Sequence, residues 1–215
     1  MEMSTKNLLA AVESPLQTKV PLQRHLTQED LQRAAARMGC DVAAVQAIAS
    51  VESSGEGFLP DGRPVILYEA HIFGRVTGYK YATRDSRGKP ISSRTWDRSL
   101  YGPTGDHQWN RMRIAEALNR DAAWKACSWG MFQVLGENHR AAGFPTVEAF
   151  VQAMESGAGA HLDAAVGFIL TNGLAGHLRN RAWAAFARGY NGPGFAANQY
   201  DTKLAAAYQA AGGQG

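Results

Sequence analysis

Residues 47–58, AIASVESSGEGF, constrain this chain more than any other stretch. An apolar run of Ala, Val and Ile ends in one acid, Glu52, and Ser53, Ser54 and Gly55 follow at once. Ser and Gly favour caps and turns over helix interiors, so the pattern predicts a helix that stops at the acid. A carboxyl at the C-terminal end of an apolar helix meets two effects that disfavour its charge: burial and the negative pole of the helix dipole. An acid that keeps its proton near neutral pH is what general acid catalysis requires. Taken alone, Glu52 reads equally as a surface residue on a last helical turn, so its context has to decide.

Around this stretch the chain reads as mainly α-helical, an α+β domain with a small sheet or hairpin beside the helix that ends at Glu52. Thr27 is a good N-cap with acids behind it, and Leu31, Ala34, Ala35 and Met38 give one apolar face that Gly39 closes. Asp41 then caps a helix over about 42–51. Pro60-Asp61-Gly62 marks a turn, and residues 65–68, VILY, form a short β-prone run with Glu69 and His71 at its end.

Residues 74–108 are polar and weakly periodic, the signature of a functional loop region or of an ordinary surface insertion. They hold Tyr79, Tyr81, Trp96 and Tyr101, whose ring faces suit stacking on sugars. Helical periodicity resumes from Trp109 through Met112, Ala115 and Leu118. Residues 127–134, CSWGMFQV, are apolar apart from Ser128 and Gln133; Met131 and Phe132 read as core, and Gln133 needs hydrogen-bond partners if buried. Further helices are expected over 147–154, 158–172, 183–188 and 200–211. The Gly and Pro residues around Tyr190 and Asn191 predict a tight turn. With no repeat and no linker, one domain over 25–211 is expected, between an N-terminal arm (1–24) and a flexible end (212–215).

Composition excludes several classes. A net charge of +3, from 22 basic and 19 acidic side chains, is too mild for nucleic acid and suits an anionic partner such as a bacterial envelope only weakly. Two cysteines, Cys40 and Cys127, allow one disulfide or two free thiols, with Cys40 expected to be buried beside Gly39. Neither they nor the six scattered His residues show metal-ligand spacing, so no metal or other cofactor is expected. The first residues lack a secretory pattern, and no apolar run reaches membrane-spanning length.

Three motifs stand in order: VESSGEGF, SWGMFQV and GYNGPG. That order resembles the lysozyme-like superfamily, in particular goose-type lysozymes and soluble lytic transglycosylases. Over residues 26–208, ILYEAHIFGR, SLYGPTGDHQWNR, ACSWGMFQVLGENH and AFARGYNGPGFAANQYDTKLAAAY look like the N-acetylmuramidase family of bacteriophage endolysins.

The resemblance implies a lysozyme-like fold and hydrolysis of the β-1,4 bond between N-acetylmuramic acid and N-acetylglucosamine. Glu52 would be the acid. Glu69 would be the second carboxylate, with a salt bridge to Arg63 or Arg75 as its competing role and Asp61, Asp85 and Asp106 as alternatives. Gln133, Tyr190, Asn191, Ser128, Met131, His71 and Trp109 would line the groove, with Tyr190 in reach of Glu52 or of an N-acetyl group. His71 and Trp109 are the weaker of these, His71 reading first as a structural hydrogen-bonding residue. A lytic transglycosylase would need no second carboxylate, and a non-catalytic wall-binding protein would have lost the acid. Many relatives carry a peptidoglycan-binding module; none is expected in this chain, so wall affinity would come from the groove and mild basicity. The expected partner is bacterial peptidoglycan. The expected life history is a monomer without stable membrane insertion, held in the host cytoplasm until a separate holin releases it to the periplasm and wall.

Overall fold

The computed structural model describes residues 21–52 and 56–214. The expected arm therefore falls almost wholly outside the described residues, as do Ser53, Ser54 and Gly55 with their helix-stop signal.

Local chemistry explains the first two helices. Before α1 (Gln28–Met38), the Thr27 hydroxyl accepts from the Asp30 backbone N–H while the Asp30 carboxylate accepts from the Thr27 backbone N–H, a reciprocal capping box. Gly39 ends the helix at φ 67°, a left-handed conformation that glycine adopts without strain. Asp41 then caps α2 (Val42–Glu52), accepting from the Ala44 N–H at 2.8 Å. Val45 and Ile48 face the main core, whereas Ala44 and Ala47 face Tyr208. Burial on two sides is why α2 is so apolar, and its alanines let a neighbouring helix approach closely.

The sheet is small and antiparallel, in the order β1-β2-β3. β1 (Ile66–Tyr68) leads into α3 (Ala70–Val76). After a long irregular segment come α4 (Asp106–Leu118), α5 (Arg120–Lys125), β2 (Cys127–Trp129) and β3 (Val134–Leu135). β1 pairs Ile66 with Trp129 and Tyr68 with Cys127, so its partner is distant in sequence rather than a hairpin neighbour. The rest is helical: α6 (Val147–Ser156), α7 (Ala158–Thr171), α8 (Ala175–Arg179), α9 (Trp183–Asn191) and α10 (Tyr200–Ala210). α10 packs on α2 and α9, and the Tyr208 hydroxyl donates to Asp41 at 2.6 Å. Asp41 thus caps one helix and anchors another.

Several expectations are corrected. α3 occupies residues read as the start of a loop. A separate α5 forms because the Asn119 side chain accepts from the Ala122 N–H. Tyr190 and Asn191 end a helix rather than forming a turn; Gly192, at φ 79°, is what stops it. Both cysteines are free thiols, and Cys127, not Cys40, is the fully buried one. The 74–108 segment is tied to the core: Asp85 accepts from the backbone N–H groups of Arg87 and Lys89 and pairs with buried Arg111, while the Tyr68 hydroxyl donates to the Ile91 carbonyl. No helix among the described residues is long and apolar enough to cross a membrane.

Candidate active site

Glu52 is the last residue of α2 and is partly buried. Asn191, the last residue of α9, donates its side-chain amide to Glu52 Oε1 at 2.9 Å. Burial pushes the Glu52 carboxyl above its usual value, and the Asn191 hydrogen bond only partly opposes this. Burial, helped by the Glu52 charge, pushes the Tyr190 and Tyr200 hydroxyls up. A neutral amide fixes the orientation of the carboxyl without stabilising its charge as an Arg or Lys would. Replacing Asn191 with Ala removes the group that favours the ionised form. The alkaline limb of the activity–pH profile should then move to higher pH, measurable as kcat/KM against pH on soluble peptidoglycan fragments.

Tyr190 does not bond Glu52. Its ring stacks on Phe186, with centroids 5.5 Å apart, and its hydroxyl points to the Phe132 carbonyl at 3.4 Å. That contact joins α9 to the segment between β2 and β3. There Gln133 has φ 49°, uncommon outside glycine and a mark of positions held by their surroundings. Its amide donates to the Gly130 carbonyl at 2.8 Å, which answers its need for a partner. With Phe132, Phe168, Asn138 and Tyr190 it lines a cavity of about 190 Å³.

No sequence motif marks the residue that holds this segment in place. His161, in α7, is 1% exposed and uses both ring nitrogens: Nδ1 accepts from the Met131 N–H at 3.0 Å, and Nε2 lies 2.7 Å from the Met154 carbonyl. Nδ1 as acceptor leaves the proton on Nε2, the neutral tautomer, and burial lowers the affinity for a second proton. The ring stacks on Phe58. A Cβ on Gly57 or Gly130 would come within 2.7 or 2.6 Å of it. Those two glycines therefore make room for one imidazole that ties the chain following Glu52 to the Gly130–Gln133 turn.

Glu69 stands immediately before α3, at the end of β1 away from Val65, which borders Gln133. The Tyr101 hydroxyl donates to Glu69 Oε2 at 2.6 Å, and His71 Nδ1 lies 3.3 Å from the same oxygen. Burial raises its proton affinity against the pull of Tyr101 and His71. The competing salt bridges do not form: Arg75 pairs with Glu137, and Arg63 with Asp61 and Asp106. The alternative carboxylates are thereby committed to arginines, Asp61 and Asp106 to Arg63 and Asp85 to Arg111.

Of the remaining candidates, Ser128 is partly exposed in the middle of β2. Met131 is buried and enters the site through its backbone N–H. Trp109 belongs to the core rather than a groove wall: it is 7% exposed, its indole N–H donates to the Pro64 carbonyl, and its ring packs edge-on against Trp129. No cluster of three His, Cys, Asp or Glu side chains that could hold a metal occurs among the described residues.

The fold is similar to the crystal structure of the Burkholderia AP3 phage endolysin, with a TM-score of 0.79 and 41% sequence identity. The likeness covers 88% of this chain and 71% of that one. No curated protein matches. A family model for N-acetylmuramidase matches residues 41–212, a span that starts at the cap of the helix bearing Glu52 and runs past Asn191 to the end of α10. With that match, this chain belongs to the N-acetylmuramidase family, glycoside hydrolases that act on peptidoglycan.

Proposed function

We propose that this chain is an endolysin that hydrolyses the β-1,4 bond between N-acetylmuramic acid and N-acetylglucosamine, with Glu52 as the proton donor. The observation that carries this reading is the Glu52 environment: a partly buried carboxyl with raised proton affinity and, among the described residues, one neutral hydrogen-bond donor. A carboxyl so placed protonates the leaving glycosidic oxygen while the sugar passes through an oxocarbenium-like state. Asn191 aims it, and Tyr190 and Gln133 shape the wall beside it.

Glu69 is the second carboxylate in this proposal. Ionised, it is steadied by the Tyr101 hydroxyl and faces His71. Glu52 and Glu69 share no hydrogen-bond partner among the described residues and belong to separate networks. Inverting glycosidases keep their carboxyls far enough apart, roughly 6.5–9.5 Å, for a water between sugar and base. In an inverting enzyme Glu69 would activate that water, and in a retaining one it would sit closer and attack the sugar. The similarity to a phage endolysin supports a role in lysing the bacterial host at the end of infection. The same proposal includes a monomer that waits in the host cytoplasm and reaches the wall after a separate holin opens the membrane.

Mass spectrometry of digested, purified peptidoglycan tests the reaction. Hydrolysis gives muropeptides ending in reducing N-acetylmuramic acid, each heavier by one water than its 1,6-anhydro counterpart. Products that are all 1,6-anhydro would replace this reading with a lytic transglycosylase.

A further inference from the structure

Trp96 is 60% exposed, the most exposed of the large apolar side chains among the described residues. Its place is not arbitrary. The indole Nε1–H donates to the Tyr101 hydroxyl at 2.6 Å, and that hydroxyl donates onward to Glu69 Oε2, also at 2.6 Å. Indole, phenol and carboxylate form a one-way chain of donors ending on a candidate catalytic oxygen. The two rings meet edge-to-face, at 60° and 6.3 Å. With its N–H committed, what Trp96 offers to solvent is ring surface.

The support beneath this pair is rigid. Asp97 caps a short 3-10 turn (Arg98–Leu100) by accepting from the Ser99 N–H. Gln108 is fully buried: its amide nitrogen donates to the carbonyls of Tyr101 and Pro103, and its oxygen accepts from the Tyr68 N–H. One side chain thus locks the loop bearing Tyr101 to the strand that delivers Glu69. A water-sized cleft of about 10 Å³ lies beside Tyr101, bordered by Glu69, His71, Thr95 and Asp97.

We propose that Trp96 and Tyr101 form a saccharide subsite beside Glu69 that takes one N-acetylhexosamine ring of a β-1,4-linked chain. A pyranose has an apolar C–H face and a polar rim. The exposed indole matches the face, and the neighbouring Tyr101, Glu69 and His71 offer polar groups to the rim. An aromatic with an apolar body and a satisfied polar edge is suited to such a half-wet contact. Trp96 binds substrate in this account, and Tyr101 is a positioning residue that sets the orientation and proton affinity of Glu69. The inference rests on reading Glu69 as part of the saccharide groove.

Binding of chitohexaose to the full chain carrying Glu52→Gln, followed by calorimetry, tests the subsite without turnover. Adding Trp96→Ala should weaken the dissociation constant by roughly 2- to 10-fold, the scale of one aromatic contact. Trp96→Phe should recover most of the affinity, because it keeps a stacking face. Leu170→Ala, at another exposed apolar position on α7, should leave affinity unchanged. In the otherwise native chain, Trp96→Ala should raise KM with little change in kcat. Tyr101→Phe removes a donor that favours ionised Glu69, so the acid limb of the pH profile should move to higher pH. Unaltered chitohexaose affinity in the Trp96→Ala chain, or an equal loss in the Leu170→Ala chain, would overturn the subsite. An unmoved acid limb in the Tyr101→Phe chain would overturn the positioning role. Failure of the muramidase reading looks different: the native chain would release no reducing ends, whatever the Trp96 variants bind.

Discussion

Glu52→Gln is expected to abolish lysis of purified peptidoglycan, lowering kcat by on the order of 10²- to 10⁴-fold, the usual contribution of a positioned acid. The substitution preserves shape and keeps an oxygen to accept the Asn191 amide, so the loss isolates the proton. Stability should move the other way. Burial raises the folded-state affinity of Glu52 for its proton above that of the unfolded chain. The stability linked to that proton is fully present below the unfolded value and is lost as pH rises through the folded one. As pH rises above the unfolded value the native chain loses part of that stability, whereas a neutral amide has no proton to lose. The Glu52→Gln chain should therefore melt at the same temperature as the native chain or above it. Retained lysis, or a lowered melting temperature, would count against the assignment.

The second large effect is structural and lies away from the acid. Asp85→Ala should destabilise the fold by about 3–5 kcal/mol, because it strands a buried guanidinium. Arg111 has a side chain only 1% exposed; it pairs with Asp85, donates to the Pro90 carbonyl and lies over the Tyr68 ring. Its Nε has no partner among the described residues, so the site has no spare hydrogen bond to offer. Burial opposes the Asp85 charge, but donors from Lys89, Arg111 and Arg87 overcome it and hold the carboxyl below its usual range. A depressed acid stabilises the fold above its unfolded value, and that contribution fades as pH falls through the folded one. Thermal melting followed by circular dichroism should show a drop on the order of 10 °C at pH 7, narrowing in acid. Restoring an uncharged pair with Arg111→Met in the same chain should recover much of the loss. An unchanged melting temperature for Asp85→Ala alone would show that the pair does not hold the loop.

What could be read from the sequence follows the range of the physics. Thr27, Gly39 and Asp41 act within one helical turn, so their capping roles are legible, and so is the helix that carries Glu52. α3 was missed because it is short and contains Gly74, which reads as a breaker. Its glycine is there for packing: a Cβ would fall 2.4 Å from the Ser93 carbonyl oxygen. The glycines around Tyr190 and Asn191 predict a turn, but Phe186 and Tyr190 stack at helical spacing and carry α9 one turn further. Trp109, a weak groove candidate by resemblance, is core instead, because aromatic character is legible in a sequence and burial is not.

The site itself is assembled from distant segments. His161 touches Met131, Met154, Phe58 and two glycines, and no spacing in the chain announces that set. Tyr101 reaches Glu69 across a loop whose path is fixed by Gln108 and by the Asp85–Arg111 pair. The residue pattern singled out Glu52, the family resemblance gave Glu52 and Glu69 their expected roles, and the geometry adds the groups around them.

The protonation of Glu52 is the point on which everything else turns. Selective 13C labelling of glutamate, with the Glu52→Gln chain identifying the signal, allows its carboxyl to be titrated directly by NMR. A midpoint above the 4.5 of an ordinary glutamate is predicted, rising further in the Asn191→Ala chain. A midpoint at or below that value would mean Glu52 is ionised wherever the enzyme works, and another group would have to supply the proton.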